Sequence, residues 1–177
     1  YAWTTVYHEF SKRPTVDICE SFFYPIGLGD AAGIAAAFAL TYSATFPAFA
    51  VCGDCSVDPE LLNVLRKLPS DGIDTWKKTE IAMPGFLIDK KGNAEAVFEY
   101  IKEINRVKEE NLINQYGSVY LEQPRRGAYY VNEQPISQVW LADENSTKKF
   151  DQNEINEAML RFVLRFSLWG GSGNNHL

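Results

Sequence analysis

In the second half of the chain, apolar side chains change from helical to strand-like spacing and back again. From residue 93 to about residue 108 they fall at Val97, Phe98, Ile101 and Ile104. Apolar residues three and four positions apart lie on one side of a helix, so this segment predicts a helix with one buried face.

A small sheet is predicted next. Residues 119–122 alternate between apolar and polar side chains, which is typical of a strand with one buried face. A turn at residues 124–127 precedes two further strands, at residues 128–132 and 138–142. We therefore expect a small antiparallel sheet within residues 117–151.

A last helix begins after this sheet. Asp151 or Asn153 has a side chain that can accept hydrogen bonds from the first backbone N–H groups of the helix. The apolar stripe of the helix consists of Ile155, Met159, Phe162, Val163 and Phe166. The pattern predicts an α+β domain over residues 92–168, with two helices packed on the small antiparallel sheet, because each element has one apolar face to bury. Residues 169–177 are predicted to be a flexible tail.

Residues 1–91 are rich in Ala, Phe, Pro and Gly, and we place a boundary near Gly92. Within this segment, residues 33–51 carry no charged side chain and are long enough to cross most of a bilayer as a single transmembrane helix. The alternative is a buried helix followed by a buried strand, with Pro47 at the break between them. The sequence leaves both interpretations open.

A Cys-x-x-Cys sequence, formed by Cys52 and Cys55, follows directly. Such a pair is a candidate redox site or half of a zinc site, and the alternative is a structural pair. The other candidate zinc ligands, Cys19, His8 and His176, are scattered along the chain. Three cysteines also do not provide a disulfide framework.

Residues 29–33 resemble an element that flavoproteins place near bound FAD. A dinucleotide site of that kind needs a Gly-x-Gly-x-x-Gly sequence directly after a strand. We find no strand-linked sequence of this type and set the interpretation aside.

Charge and composition narrow the classes of function. The net charge of -6, with acidic and basic residues interleaved, disfavours proteins that bind nucleic acid by neutralising its phosphates. With 46% hydrophobic residues, the chain has ample material for a buried core. Both histidines lie near the termini, and no Ser or Cys has a base at a recognisable spacing. No catalytic constellation is therefore predicted.

Residues 132–142 resemble the signature of the frataxin family. They read Asn-Glu-Gln-Pro-Ile-Ser-Gln-Val-Trp-Leu-Ala. In that family an Asn-x-Gln-x-Pro sequence leads into Gln-Ile/Val-Trp-Leu on consecutive strands, and an aromatic residue followed by Asp comes later, as at residues 150–151 here. The resemblance covers about residues 92–168 and includes an acidic helix before the sheet and a second helix after it.

The resemblance implies a mitochondrial protein, in the matrix or at the inner membrane, that assists iron–sulfur cluster assembly. Iron would be bound weakly by exposed carboxylates of the first helix, at Glu95, Glu99 and Glu103. Oxygen ligands suit a hard or labile cation that is held loosely. The alternative for these residues is a solvated helix face with i, i+4 ion pairs.

The resemblance also implies docking on the assembly machinery through the sheet surface, at Asn132, Gln134, Gln138 and Trp140. An exposed Trp among amide side chains suits a contact with another protein. The second functional hypothesis is a noncatalytic accessory subunit of a mitochondrial inner-membrane complex of the respiratory chain. In that case residues 33–51 would lie in the bilayer, and neighbouring subunits would be the partners.

Overall fold

The computed structural model describes residues 23–43, 45–67, 83–105, 128–130, 137–148 and 150–166. Strands and helices alternate along most of the chain. The strands are β1 (Ile26–Gly29), β2 (Phe49–Gly53), β3 (Gly85–Asp89), β4 (Ala128–Tyr130) and β5 (Ser137–Asp143). The helices are α1 (Ala32–Thr41), α2 (Pro59–Lys67), α3 (Glu95–Ile104), α4 (Glu144–Thr147) and α5 (Gln152–Val163).

These strands form one sheet, in the order β1-β2-β3-β5-β4. Strands β1, β2, β3 and β5 are parallel, and β4 pairs antiparallel with β5. Val51 of β2 lies opposite Leu87 of β3, which lies opposite Leu141 of β5. Every residue of β2 and β3 is buried, as expected for parallel strands that are covered on both faces.

Helices cover both faces of the sheet. The core of one face combines side chains of α1, α2 and α3 with side chains of the strands. It includes Ala36, Leu62, Val97, Ile101, Phe49, Val51 and Leu87. On the other face, Phe162 of α5 stacks on Phe86 of β3 with ring centroids 5.2 Å apart, and Met159 joins the same core. The sheet therefore lies between two helical layers.

Local signals in the second half of the chain located the elements correctly. Helix α3 lies within the predicted residues 93–108. Helix α5 begins with a capping box, in which Asp151 accepts hydrogen bonds from the N–H groups of Asn153 and Glu154 at 2.7 and 2.9 Å. Because a capping box satisfies donors that the helix cannot satisfy itself, it fixes the start of α5.

Strands β4 and β5 correspond to the strands predicted at residues 128–132 and 138–142. The strand predicted at residues 119–122, the turn after it and the tail at residues 169–177 lie outside the described residues.

The mixture of helices with a small sheet is confirmed, but the predicted antiparallel arrangement of that sheet is wrong. Among the described strands, only β4 and β5 pair antiparallel, while β5 pairs in parallel with β3. The two predicted helices also do not share a face, because α3 belongs to one core and α5 to the other. The prediction joined only neighbouring segments, whereas a strand–helix–strand connection brings the next strand back in parallel.

Gly92 lies in the turn between β3 and α3, so strands from both sides of the compositional break share one sheet.

Of the two interpretations left open for residues 33–51, the single transmembrane helix is wrong. This segment forms most of α1, a connection that contains the buried Pro47, and the first part of β2. No helix in the described ranges is long and apolar enough to cross a membrane. The alternative of a buried helix followed by a buried strand is confirmed, since α1 ends at Thr41 and β2 begins at Phe49, with Pro47 in the connection.

Candidate functional site

The turn from β1 to α1 is built from small residues. Residues 27–32 read Gly-Leu-Gly-Asp-Ala-Ala, and only Asp30 and Ala31 separate the strand from the helix. A Cβ atom on Gly27 would lie 2.7 Å from the Ala31 carbonyl oxygen and 2.7 Å from the Ala35 Cβ. No real Cβ contact is that short, so glycine at this position lets the strand lie directly against α1.

Gly29 ends β1 in the left-handed region, with φ 61°. A Cβ atom here would have no neighbour within 4 Å, so this backbone faces open space. Glycine adopts this conformation without the steric cost that other residues meet. The turn therefore offers bare backbone to an approaching molecule.

The first turn of α1 has no capping group of its own. Ala31, the N-cap residue, makes no side-chain hydrogen bond to the helix, and the first turn contains no acidic residue. Free N–H groups at a helix start carry the positive end of the helix dipole, roughly half an elementary charge. This end of α1 therefore favours a negatively charged group.

The end of β2 lies directly beside the glycine turn. The Asp54 N–H donates to the Gly29 carbonyl oxygen at 3.1 Å. Gly53 has φ 146°, and a Cβ atom on it would lie 2.2 Å from that same oxygen. A Cβ atom on Gly33 would lie 2.1 Å from the Ser56 carbonyl oxygen. Small residues thus bring the ends of β1 and β2 and the start of α1 into one place.

The Asp54 carboxylate is fixed by its neighbours. Its Oδ1 accepts hydrogen bonds from the Ser56 N–H at 3.1 Å and from Asn93 Nδ2 at 3.5 Å. The pKa of Asp54 lies below its ordinary value, chiefly because the side chain and backbone of Ser56 hydrogen-bond to the carboxylate. Asp54 is therefore ionised at neutral pH.

Asn93 belongs to the turn that follows β3, and Asp89 holds that turn. The Asp89 carboxylate accepts hydrogen bonds from three backbone N–H groups, those of Lys91, Gly92 and Ala94. The Lys90 N–H also donates to the Gly53 carbonyl oxygen at 2.9 Å. The carboxyl ends of β1, β2 and β3 are therefore linked into one edge.

The residues predicted to bind iron lie elsewhere, on the exposed side of α3. Glu99 pairs with Lys102 at 2.8 Å, and Glu103 pairs with Arg66 of α2 at 2.8 Å. Glu95 is exposed in the first turn of α3. Among the residues that the structure describes, no group of three His, Cys, Asp or Glu side chains could hold a metal ion. Iron binding by these glutamates stays a prediction.

The two cysteines of the Cys-x-x-Cys sequence join different cores. Cys55 packs on the α1–α3 face and Cys52 on the α5 face, and both thiols are free. Burial raises the pKa of both thiols, with Asp89 adding to the shift at Cys55 and Lys90 opposing it at Cys52. Both side chains pack in the core, and a redox or zinc role for the pair stays a prediction.

The predicted partner-binding residues are placed only in part. Asn132 and Gln134 lie outside the described residues. Gln138 and Trp140 lie on β5, where Gln138 is opposite Tyr129 of β4 and Trp140 is opposite Phe86 of β3. A protein contact through these residues stays a prediction.

A Gly-x-Gly-x-x-Gly sequence is absent from residues 27–32, as the sequence analysis stated, but a related sequence is present there. Residues 27–32 match Gly-x-Gly-x-x-Ala and run from β1 into α1. Dinucleotide sites accept alanine at the last of these positions in place of a third glycine. The sequence pattern did not reveal this turn because its third small residue is alanine and because β1 is only four residues long. The detectable signal was the pair of glycines directly before an alanine-rich helix.

The fold and the site define a parallel α/β domain with a glycine turn at the carboxyl ends of its strands. Comparison with protein-family models, with curated proteins and with solved structures finds no match to this chain.

Proposed function

We propose that the chain binds the pyrophosphate of a nucleotide, as in ADP-ribose or an adenine dinucleotide, at the turn from β1 to α1. The observation that carries this proposal is the Gly-x-Gly-x-x-Ala sequence of residues 27–32 at the strand-to-helix turn of a parallel strand–helix–strand unit. In dinucleotide-binding domains this sequence lies at the same turn and has the pyrophosphate bound against it.

The small residues of the sequence have separate structural roles, and those of Gly29 and Ala32 support the proposal. Gly27 permits close packing of β1 and α1, and Gly29 leaves the backbone open to a ligand. Ala32, the third position, is fully buried against the core, where a larger side chain would push the helix away. Dinucleotide sites place the demands met by Gly29 and Ala32 on their second and third positions, whereas Gly27 lies within β1 and packs on α1 instead of forming the turn.

The dipole of α1 favours an anion at the same place. The start of α1 lacks a capping side chain and an acidic residue in its first turn, so its N–H groups and dipole favour phosphate oxygens. The proposal is for binding, and any chemistry would come from the bound cofactor or from a second protein.

Calorimetric titration with AMP, ADP and ADP-ribose tests the proposal. We expect ADP and ADP-ribose to bind at least about tenfold more tightly than AMP, because only they place a pyrophosphate on α1. The matched variants are Gly29→Ala and Gly92→Ala, since both glycines are left-handed and neither would bring its Cβ atom within 4 Å of a neighbour.

Both substitutions are expected to cost about 1 kcal/mol of stability, since both force a left-handed alanine. Only Gly29→Ala places a methyl group on the pyrophosphate position, so it should weaken ADP-ribose binding by about tenfold or more while Gly92→Ala leaves it unchanged. Absence of ADP-ribose binding at millimolar concentration, or equal affinity of the two variants, would contradict the proposal.

As a second function we propose the frataxin-like role, in which a mitochondrial protein assists iron–sulfur cluster assembly. The supporting observation is the antiparallel pairing of β4 and β5, with Ala128 opposite Val139 and Tyr130 opposite Ser137, since the family signature lies on consecutive strands. Titration with Fe²⁺ tests it. A variant with Gln at Glu95, Glu99 and Glu103 should bind less iron, and unchanged binding would exclude these ligands.

A further inference from the structure

Strand β1 forms an outer edge of the sheet. It pairs with β2 on one side, and the part of the chain that the structure describes has no strand on the other side. The carbonyl oxygens of Pro25 and Gly29 accept hydrogen bonds from N–H groups in and directly after β2, both at 3.1 Å. Because backbone groups of alternate residues point to the same side of a strand, those of Ile26 and Leu28 point away from β2.

The outward backbone of β1 provides three hydrogen-bonding groups. These are the N–H and C=O groups of Ile26 and the N–H group of Leu28, since the Leu28 carbonyl oxygen accepts from the Ala31 N–H at 3.2 Å. An added strand can bond to all three without displacing a hydrogen bond of the fold. An edge with outward backbone groups of this kind is a template for strand addition.

The side chains along this edge are apolar and accessible. Ile26 is 41% exposed and Leu28 is 46% exposed. In the register with β2 they lie opposite Ala50 and Cys52, which belong to the core beneath α5. Helix α5 packs on β2 and β3 and leaves the two β1 side chains accessible on the same face of the sheet. An added strand with an apolar residue opposite each of them would cover both.

Charge and size indicate the kind of partner. Asp30 is the one charged residue between residues 23 and 43, and it is exposed directly after β1. A basic side chain at the end of an added strand would complement it. Stable dimers use roughly 20–30 residues from each partner, whereas β1 has four. The edge therefore suits a short extended segment better than a second copy of the chain.

We infer that β1 binds an extended segment of another protein by strand addition, with apolar residues at alternate positions of the segment and Lys or Arg at the end beside Asp30. The added strand is antiparallel, because antiparallel pairing is the more stable per residue. Its apolar residues lie opposite Ile26 and Leu28, whose backbone groups face the added strand. The inference does not depend on the proposed nucleotide binding.

NMR titration of the isotope-labelled full chain with the acetylated and amidated peptide Lys-Val-Thr-Val-Thr tests the inference. In the antiparallel register the two Val residues lie opposite Leu28 and Ile26, and the Lys lies next to Asp30. We expect a Kd below about 1 mM. The amide signals of Ile26 and Leu28 should shift and exchange with solvent more slowly, whereas the Gly27 amide, which faces β2, should change less.

Two N-methylated forms of the peptide provide a matched control. Methylation of both Val nitrogens removes N–H groups that face β1 and places methyl groups against the edge, so it should weaken binding at least about tenfold. Methylation of both Thr nitrogens changes groups that face away from β1 and should alter the Kd by less than about threefold. Equal weakening by the two forms would overturn the inference, because strand addition requires this alternation.

Variants of the chain test the same edge. Leu28→Pro removes an outward N–H donor and keeps the bonds to β2, so it should weaken binding at least about tenfold. Asp30→Asn should weaken it by about threefold, and Asp58→Asn, at an exposed acid before α2, should leave it unchanged. If Leu28→Pro fails to fold, the two N-methylated peptides decide.

Three results would overturn the inference. The first is no binding at about 5 mM peptide. The second is equal weakening by Asp30→Asn and Asp58→Asn, which would assign the effect to general charge. The third is a dimer in sedimentation experiments that Leu28→Pro abolishes, because the edge would then bind a second copy of the chain.

Discussion

Asp89 connects the stability of the fold to the geometry of the site. Its side chain is 7% exposed. Oδ1 accepts hydrogen bonds from the Lys91 and Gly92 N–H groups, both at 3.1 Å, and Oδ2 accepts one from the Ala94 N–H at 2.8 Å. Replacing Asp89 with Ala removes the acceptor for all three donors.

The cost of Asp89→Ala follows from the burial of those donors. Lys91 and Gly92 are exposed, so water replaces the lost acceptor there at little net cost. Ala94 is fully buried, and an unsatisfied buried donor costs about 1–3 kcal/mol. With the loss of the charge-assisted bonds in the turn, we expect the free energy of unfolding to fall by about 3 kcal/mol. For a chain of this size that corresponds to roughly 6–12 °C in Tm.

Urea unfolding followed by circular dichroism measures this difference. Asp89→Asn keeps one acceptor oxygen and should lose about half as much stability as Asp89→Ala. The control is Asp58→Ala, which removes one exposed hydrogen bond to the Glu60 N–H at 2.9 Å and should cost about 1 kcal/mol. If Asp89→Ala costs no more than Asp58→Ala, the turn after β3 does not depend on this carboxylate and the reasoning fails.

Three further predictions concern the core and its titrating groups. Phe162→Ala should lower the free energy of unfolding by about 3–5 kcal/mol in urea titrations, since the ring is fully buried on Phe86; a loss below about 1 kcal/mol would contradict the packing of α5 on the sheet. At pH 8, Cys52 and Cys55 should react with iodoacetamide at least about tenfold more slowly in the folded chain than in the chain unfolded by urea, because burial raises both pKa values. Equal rates in the two states would contradict the burial of these thiols. The free energy of unfolding should fall as pH rises above about 9. Burial raises the pKa of Cys55 above its ordinary value of 9.0 and that of Tyr100 from 10.0 to about 12, so the unfolded chain loses these protons at lower pH than the folded chain. Unfolding midpoints that do not change from pH 8 to 11 would refute this prediction.

The elements that could be predicted from the sequence are those with local causes. Helix α5 has a capping box at Asp151 and a helical stripe of apolar residues, so it was placed almost to the residue. Helix α3 has the same kind of stripe, and its buried residues include Val97, Phe98 and Ile101. Both signals are complete within a few turns of chain.

The pairing of the strands could not be predicted in the same way. β2 and β3 are short, continuously buried runs, and such runs fit a buried strand and part of a buried helix equally well. β1 contains two glycines in four residues and has little strand propensity of its own. Their parallel order depends on contacts between segments that are far apart in the sequence, and no local pattern records those contacts.

The candidate site at the carboxyl ends of the strands could not be predicted for the same reason. In a parallel sheet the turn after every strand lies at one edge, so Gly29 after β1, Asp54 after β2 and Asn93 after β3 meet there. The antiparallel sheet that was predicted lay within residues 117–151 and included none of these three residues, so that prediction did not bring them together. The contact between Asp54 and Asn93 therefore depends on the parallel topology. A substitution that disturbs the pairing of β2 with β3 should therefore weaken ADP-ribose binding from a position at the opposite end of the strand. Gly85→Val is such a substitution, since even a Cβ atom on Gly85 would lie 2.7 Å from the Phe49 ring. Unchanged ADP-ribose affinity in a variant that has lost stability would show that the edge does not depend on the register of the sheet.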